Sequence, residues 1–153
     1  MTSIGAGRSE LDLQSTFRFV GEALAFVVPL ACYLATASGH GYWLDAGELV
    51  AQATDLGISH PPGHPLFGVV AHAASLVPLG PIEFRVAVLG AVCTALAALF
   101  FHRALLVTVE AVGLRSPKLS VPIALAGSWL LAGSAGFWFE GVRPEVYALE
   151  AAL

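Results

Sequence analysis

Long apolar runs separated by short polar segments dominate the chain from residue 19 onward. Residues 19–38 are apolar apart from one acid near the start, Glu22. Residues 85–109 enclose a nearly pure apolar stretch at 86–101, and residues 119–139 contain no charge at all. A bilayer core is about 30 Å thick and takes about 20 helical residues to cross, so each run predicts a spanning helix. A fresh apolar stretch opens near Val146 and is still running at Leu153, which predicts a fragment truncated within a larger membrane domain. The first run has a rival reading as a cleaved signal peptide, because Arg8 and Arg18 precede it and Ala35-Thr36-Ala37 resembles a small-residue cleavage site. Glu22 and the length of the run favour a retained anchor.

Residues 65–79 are apolar but too few to span, since a helix of that length reaches only about 22 Å. Pro61, Pro62 and Pro65 crowd its start, and Pro78 and Pro81 close it. Gly68, His72 and Ser75 recur at helical spacing and form a small, polar stripe. The pattern predicts a helix lying at the interface or re-entering it; a short tilted span is the alternative. Charge decides between them. Residues 39–84 hold no Lys or Arg but carry Asp45, Glu48, Asp55 and Glu83. Residues 102–118 hold Arg103, Arg115 and Lys118 against Glu110. Cytoplasmic loops are the ones enriched in Lys and Arg, so residues 1–18 and 102–118 are expected inside. The 39–84 and 140–145 loops then share the outer face, and 65–79 does not span. Tyr42 and Trp43, and Phe137, Trp138 and Phe139, would mark the outer headgroup level, with simple packing as the bland account.

Composition agrees. The chain has 153 residues, of which 57% are hydrophobic and 12% charged, and its mean hydropathy is +0.78. Soluble domains carry roughly 25% charge, so a soluble domain is excluded. The net charge of −4 offers no basic stripe for nucleic acid. Cys32 and Cys93 sit in separate apolar runs and are expected as packing residues, not as a disulfide or metal pair.

The reactive side chains concentrate in short loops. Asp45 and Glu48 follow the first span three residues apart, so a helix would turn them the same way. Low-dielectric surroundings raise a carboxyl pKa, which suits a general base; acids complementing a helix N-terminus are the structural alternative. In Ser59-His60-Pro61-Pro62-Gly63-His64-Pro65 the prolines stiffen the backbone and Gly63 permits a turn. That bend would present His60 and His64 at the membrane edge. Together with Asp45 and Glu48 they have the donors for an oxygen/nitrogen metal site, though loop histidines are more often hydrogen-bonded, and no cofactor is certain. Arg143 and Glu145 lie at the outer end of the third span. Arg143 would suit a phosphate, or the two would form a solvated ion pair.

Taken in order, these elements are recognisable. Asp45-Ala46-Gly47-Glu48, then Ser59-His60-Pro61-Pro62-Gly63-His64-Pro65-Leu66, then Phe84-Arg85-Val86, Phe137-Trp138-Phe139 and Glu145-Val146-Tyr147-Ala148-Leu149 resemble the transmembrane protein 260-like family over residues 35–153. Its members are membrane glycosyltransferases of the GT-C type, related to protein O-mannosyltransferases. The resemblance implies an all-α, polytopic helical bundle with an external loop of short interfacial helices after the first span. Residues 1–18 would be a cytoplasmic tail and 19–153 the N-terminal part of a GT-C-like transmembrane domain. It implies transfer of a sugar, mannose for instance, from a polyprenyl-phosphate donor to a protein or glycan hydroxyl on the outer side. The expected location is a bacterial inner (plasma) membrane. Asp45 would be the catalytic base and Glu48 a second acid. His60, His64, Arg85, Arg143, Glu145 and Tyr147 are the candidate substrate-binding residues, and no residue is assigned to a metal. Arg143-Pro144 departs from the family pattern, so a phosphate role there rests on chemistry alone. The rival class is a transporter or a non-catalytic membrane scaffold, since Pro-broken segments and intramembrane charges also mark transporters.

Overall fold

In the computed structural model the described residues are 3–37, 39–40, 44–61 and 63–153, with side chains from residue 13. All regular structure among them is helical: α1 (Ser3–Thr36), α2 (Ala46–Asp55), α3 (Pro65–Ser75), α4 (Ile82–Ala111), α5 (Pro117–Ala132), α6 (Ala135–Val142) and α7 (Tyr147–Ala152). Two stretches are long and apolar enough to cross a membrane, Leu13–Thr36 within α1 and Ile82–Ala111. They match the first two expected spans, the first starting a turn or two earlier. The chain is therefore an integral membrane helical bundle. Tyr42, Trp43 and Pro62 lie outside the described residues, so the interface role expected of the first two is not addressed.

The third expected span is a bent pair of helices, long and apolar enough to cross a membrane only when the two are taken together. Residues 119–139 do not form one helix: α5 ends at Ala132, and α6 leaves it bent by 69°. The cause is the Gly133-Ser134 pair. Gly133 closes α5 by donating its N–H to the Trp129 carbonyl, and Ser134 turns extended (φ −66°, ψ 148°) to start α6. A free carbonyl at such a break is costly in hydrocarbon. Tyr33, fully buried on α1, donates its hydroxyl to the Ala132 oxygen at 2.7 Å. Trp138 packs its ring edge-on to Tyr33 at 5.4 Å. That contact is the packing expected of it as the bland account, while Phe139 stays exposed.

Small residues let the long helices close. Ala91, Ala95 and Ala98 form one stripe of α4 and are buried against Tyr33 and Ala132, with Phe26, Leu30 and Leu34 around them. Lipid tails give no hydrophobic drive for helix association, so close packing of this kind is what membrane bundles rely on. Gly90 makes the tightest approach to backbone atoms: a Cβ there would lie 2.9 Å from the Glu140 oxygen and 3.0 Å from the Arg143 oxygen. Gly141 lies under the Tyr33 ring in the same way. At the other end of the bundle Arg18 meets Glu110 at 2.7 Å and Arg103 meets Glu22 at 2.7 Å. Helix α1 thus carries contacts to the rest of the bundle from Arg18 to Leu34. A Schellman turn ends α4 there, with Leu114 N–H on the Val109 oxygen, Gly113 N–H on the Glu110 oxygen and Gly113 at φ +106°.

The 39–84 segment folds as two short helices over the opposite end. Leu49, Val50 and Ala53 of α2, Phe67 and Ala71 of α3, Val86 of α4 and Val146 share one core. The 11 residues of α3 make about 16 Å of helix, half a bilayer core. Its Gly68, His72, Ser75 stripe faces the neighbouring helices: Gly68 abuts Gln52, His72 Nδ1 donates to the Ala53 oxygen at 2.7 Å, and the Ser75 oxygen accepts from Arg85. The described residues of 44–84 and residues 140–146 therefore lie at one end and the basic 102–118 segment at the other.

Gly90→Ala should destabilise the bundle by about 1–3 kcal/mol, the usual cost of overpacking, because backbone oxygens cannot retreat as a side chain would. Thermal unfolding in detergent, with exposed Ala104→Gly as a surface control, measures it. Cysteines introduced at Gly57 and at exposed Glu150 should label from the same side of intact cells, and one at Ser116 from the other. Labelling of the first two from opposite sides would contradict the shared end.

Candidate functional site

Helix α2 starts at the acid pair. Asp45 is the residue before its first turn and Glu48 lies within that turn, where carboxylates complement the helix dipole. Asp45 makes no side-chain cap bond, so its oxygens point free of the backbone. The helix stops at Leu56, which adopts a left-handed conformation (φ 51°), and the chain doubles back. A turn donates Gly63 N–H to the His60 oxygen at 2.9 Å, with Gly63 at φ +93°, a conformation that glycine takes without Cβ strain. Gln52, buried on the inner face of α2, donates to the Gly63 oxygen at 3.0 Å and ties the bend to the helix. Sequence reasoning missed Gln52; the available signal was a polar residue one turn from Leu49 on the apolar face.

This doubling back brings His60 to the acids. Its backbone N–H donates to Glu48 Oε1, and its Nδ1 lies 3.0 Å from Glu48 Oε2. Its Nε2 faces Asp45 Oδ2 at 4.0 Å. The ring bond and the backbone bond from His60 hold the Glu48 carboxyl below its usual range, and Glu48 holds the imidazole above its own. A raised carboxyl was expected for an acid beside the membrane. For Glu48 the direction is the reverse, because it is exposed to solvent and doubly hydrogen-bonded. One ligand atom from each of Asp45, Glu48 and His60 lies within 4.8 Å of the others, the spacing a divalent ion needs, although the Nδ1 bond already engages Glu48. His64 does not join this group; its ring stands edge-on to His60 at 6.2 Å.

Arg143 and Glu145 are paired at 2.9 Å as anticipated, but with side chains only 15% and 8% exposed. The pair is buried rather than solvated because Pro144 and Val146 beside it pack into the core. Burial raises the Glu145 carboxyl, Arg143 opposes that, and Asp45 and His64 also act on it, so this link lies within electrostatic reach of the first loop. The Arg143 Nε remains buried without a hydrogen bond, and its guanidinium sits 5.7 Å over the Phe139 ring. Tyr147 is exposed at the start of α7. Arg85 is engaged elsewhere: its Nε and Nη1 donate to the Gly80 and Ser75 oxygens, each at 3.0 Å, closing the end of α3. Cys32 and Cys93 are free thiols.

The bundle, an integral membrane protein, gathers two acids, a histidine and a buried Arg–Glu pair at one end. Comparison with known sequences gives the class a family. The profile described as Protein O-mannosyl-transferase TMEM260 N-terminal domain matches residues 45–153, and the chain belongs to that family. A mouse protein (Mus musculus) described as Protein O-mannosyl-transferase TMEM260 is 44% identical over 55 residues, which is 35% of this chain and 8% of the mouse protein. The match thus spans less than a tenth of that relative's length. No solved structure matches.

The paired shifts carry a pH signature. The His60 share of the contact is complete below the ordinary imidazole value of 6.5 and lost as pH rises through the raised one; the Glu48 share is complete above 4.5 and lost as pH falls through the lowered one. The bend is therefore held most firmly between pH 4.5 and 6.5. In an NMR titration the His60 ring should show a midpoint above 6.5, and Glu48→Gln should bring it down. An unmoved midpoint in that variant would show that the two do not interact in solution.

Proposed function

We propose that the intact protein is a membrane glycosyltransferase of the GT-C type. In this reading it transfers a sugar, mannose by the relative's description, from a polyprenyl-phosphate donor in the bilayer to a protein or glycan hydroxyl on the outer side. Residues 1–18 form a cytoplasmic tail, and residues 19–153 contribute the N-terminal part of the transmembrane domain. The carrying observation is that the matched family segment, 45–153, contains the acid pair, the His60 bend and the Arg143–Glu145 link, which lie at one end of the bundle. The absence of Lys and Arg from residues 39–84 supports an outer position for that end. A bacterial plasma membrane belongs to this reading on sequence grounds alone, and a relative from mouse adds no support to it.

Asp45 is the proposed base. Its carboxylate is exposed, lies on a segment without basic residues and makes no cap bond, so it is free to meet an acceptor hydroxyl. The hydroxyl oxygen attacks the anomeric carbon as the phosphate departs, through an oxocarbenium-like transition state. The reaction is a single displacement with inversion. Positive charge placed where the phosphate gains its own lowers the barrier. Arg143 supplies it, with a buried Nε still to be satisfied; Arg85 is committed to α3. His64 and Tyr147 are the proposed sugar contacts, and Glu145 holds Arg143. A divalent ion is the one cofactor that the Asp45, Glu48 and His60 donor set suits.

In the intact protein, Asp45→Asn should lower transfer by about 10²–10⁴-fold, the usual worth of general base catalysis. Expression and donor binding should change little, since a carboxylate does not hold a phosphate. The assay is sugar transfer from a polyprenyl-phosphate mannose to a hydroxyl-bearing peptide. Near-normal transfer by the purified variant would discard Asp45 as base and bring the transporter or scaffold reading forward.

A further inference from the structure

The basic end of the bundle carries more positive charge than it uses. Arg18 and Arg103 are neutralised there by Glu110 and Glu22. Arg115 and Lys118 are exposed and make no ion pair among the described residues. Arg8 and Glu10, earlier in the chain, cancel in formal charge. An uncompensated pair of cations, three positions apart, thus stands where α4 hands over to α5. Beside it is a cleft of about 240 Å³ between α1 and the first turn of α5. One wall is apolar: Leu13 and Phe17 line it one helical turn apart and remain 51% and 37% exposed. Gln14, Ser116 and Lys118 supply the polar lining, and the Ser116 hydroxyl is not spent on capping α5. The surface around the cleft is mixed in the same way. Exposed Val112, Leu114 and Leu119 are interleaved with Arg115 and Lys118, the pattern of a segment that seats apolar groups at the acyl boundary and cations among the headgroups.

We propose that this cleft holds an acidic phospholipid of the leaflet at the basic surface. Its phosphate meets Lys118 and the Ser116 hydroxyl, Arg115 adds charge from the rim, and an acyl chain runs along Leu13 and Phe17. Basic pockets between membrane helices are where anionic headgroups settle. A soluble anion would use the cations alone and leave the apolar wall uncovered, whereas a zwitterionic lipid would leave the charge uncompensated. An acidic amphiphile satisfies both at once. Bound there, it ties the start of α1 to the turn between α4 and α5, beside the Arg18–Glu110 pair. The site lies at the opposite end of the bundle from Asp45 and does not depend on the sugar-transfer reading.

The test is thermal unfolding of the intact protein in neutral detergent micelles doped with phosphatidylglycerol, with phosphatidylcholine, or with inorganic phosphate at equal ionic strength. Phosphatidylglycerol should raise the midpoint saturably, as a ligand of the folded state does, and the other two should not. Lys118→Gln and Arg115→Gln should each raise the half-saturating lipid fraction about fivefold, the worth of one cation near an anionic membrane surface. Both side chains are exposed, so the midpoint in undoped micelles should not move. A phosphatidylglycerol with a photoreactive headgroup should cross-link to residues 13–17 and 115–119. Equal stabilisation of the double variant, or cross-links spread evenly over the membrane-facing helices, would reduce the effect to general lipid adhesion and overturn the site. Stabilisation by inorganic phosphate alone would give the cations to a soluble anion, and equal stabilisation by phosphatidylcholine would remove the role of charge; each overturns the proposal, as does no response to phosphatidylglycerol.

Discussion

A backbone carbonyl without a partner is costly in hydrocarbon, where no water can satisfy it, and the break at Ala132 creates one. The hydroxyl of Tyr33, 99 positions away in sequence, meets it at 2.7 Å. With that bond in place α5 can stop, and α6 can leave it at an angle of 69°. The turn sends residues 140–146 back over α4, where Gly90 leaves room for two carbonyls to touch the helix. The ring that donates the bond also roofs Gly141 and meets Trp138 edge-on, so one side chain holds the break, the bent helix and the start of the Arg143 link.

The acid pair depends on that arrangement at second hand. Val146 at the end of the link packs with Leu49 and Phe67, which seats α2 and α3 on the end of α4. Asp45 and Glu48 then project from the outermost turn of α2, away from the core. Gln52 one turn below Glu48 ties down the Gly63 carbonyl, and Glu48 ties down His60. Two side chains of a single helix face thus shape the whole returning loop.

How much of this was legible beforehand differed by interaction range. The first two spans could be read directly, because long charge-free runs have no alternative in a chain so poor in polar surface. The shared orientation of Asp45 and Glu48 followed from their spacing, and the pairing of Arg143 with Glu145 from their proximity. The break at Gly133-Ser134 was hidden, since small residues are ordinary inside membrane helices and only a distant tyrosine makes a stop tolerable. The contact of His60 with Glu48 was hidden too: it hangs on left-handed backbone at Leu56 and positive φ at Gly63, which apolar periodicity does not encode. Arg85 illustrates the opposite error. A cation opening a span invites a role with substrate, yet its place one turn above the 76–81 connection makes it the natural closure for the carbonyls of α3.

The two ion pairs at the far end act as a vernier. An apolar helix in lipid meets little resistance to sliding along a neighbour, because one set of alanine and leucine contacts is nearly as good as the next. Arg18 with Glu110 and Glu22 with Arg103 engage α1 at two heights a turn apart, and a slip of one turn would unseat both. From Glu22 to Tyr33 is about 16 Å of helix, with Pro29 between them. Charges toward one surface of the membrane thereby help set how deep a phenol sits about half a bilayer away.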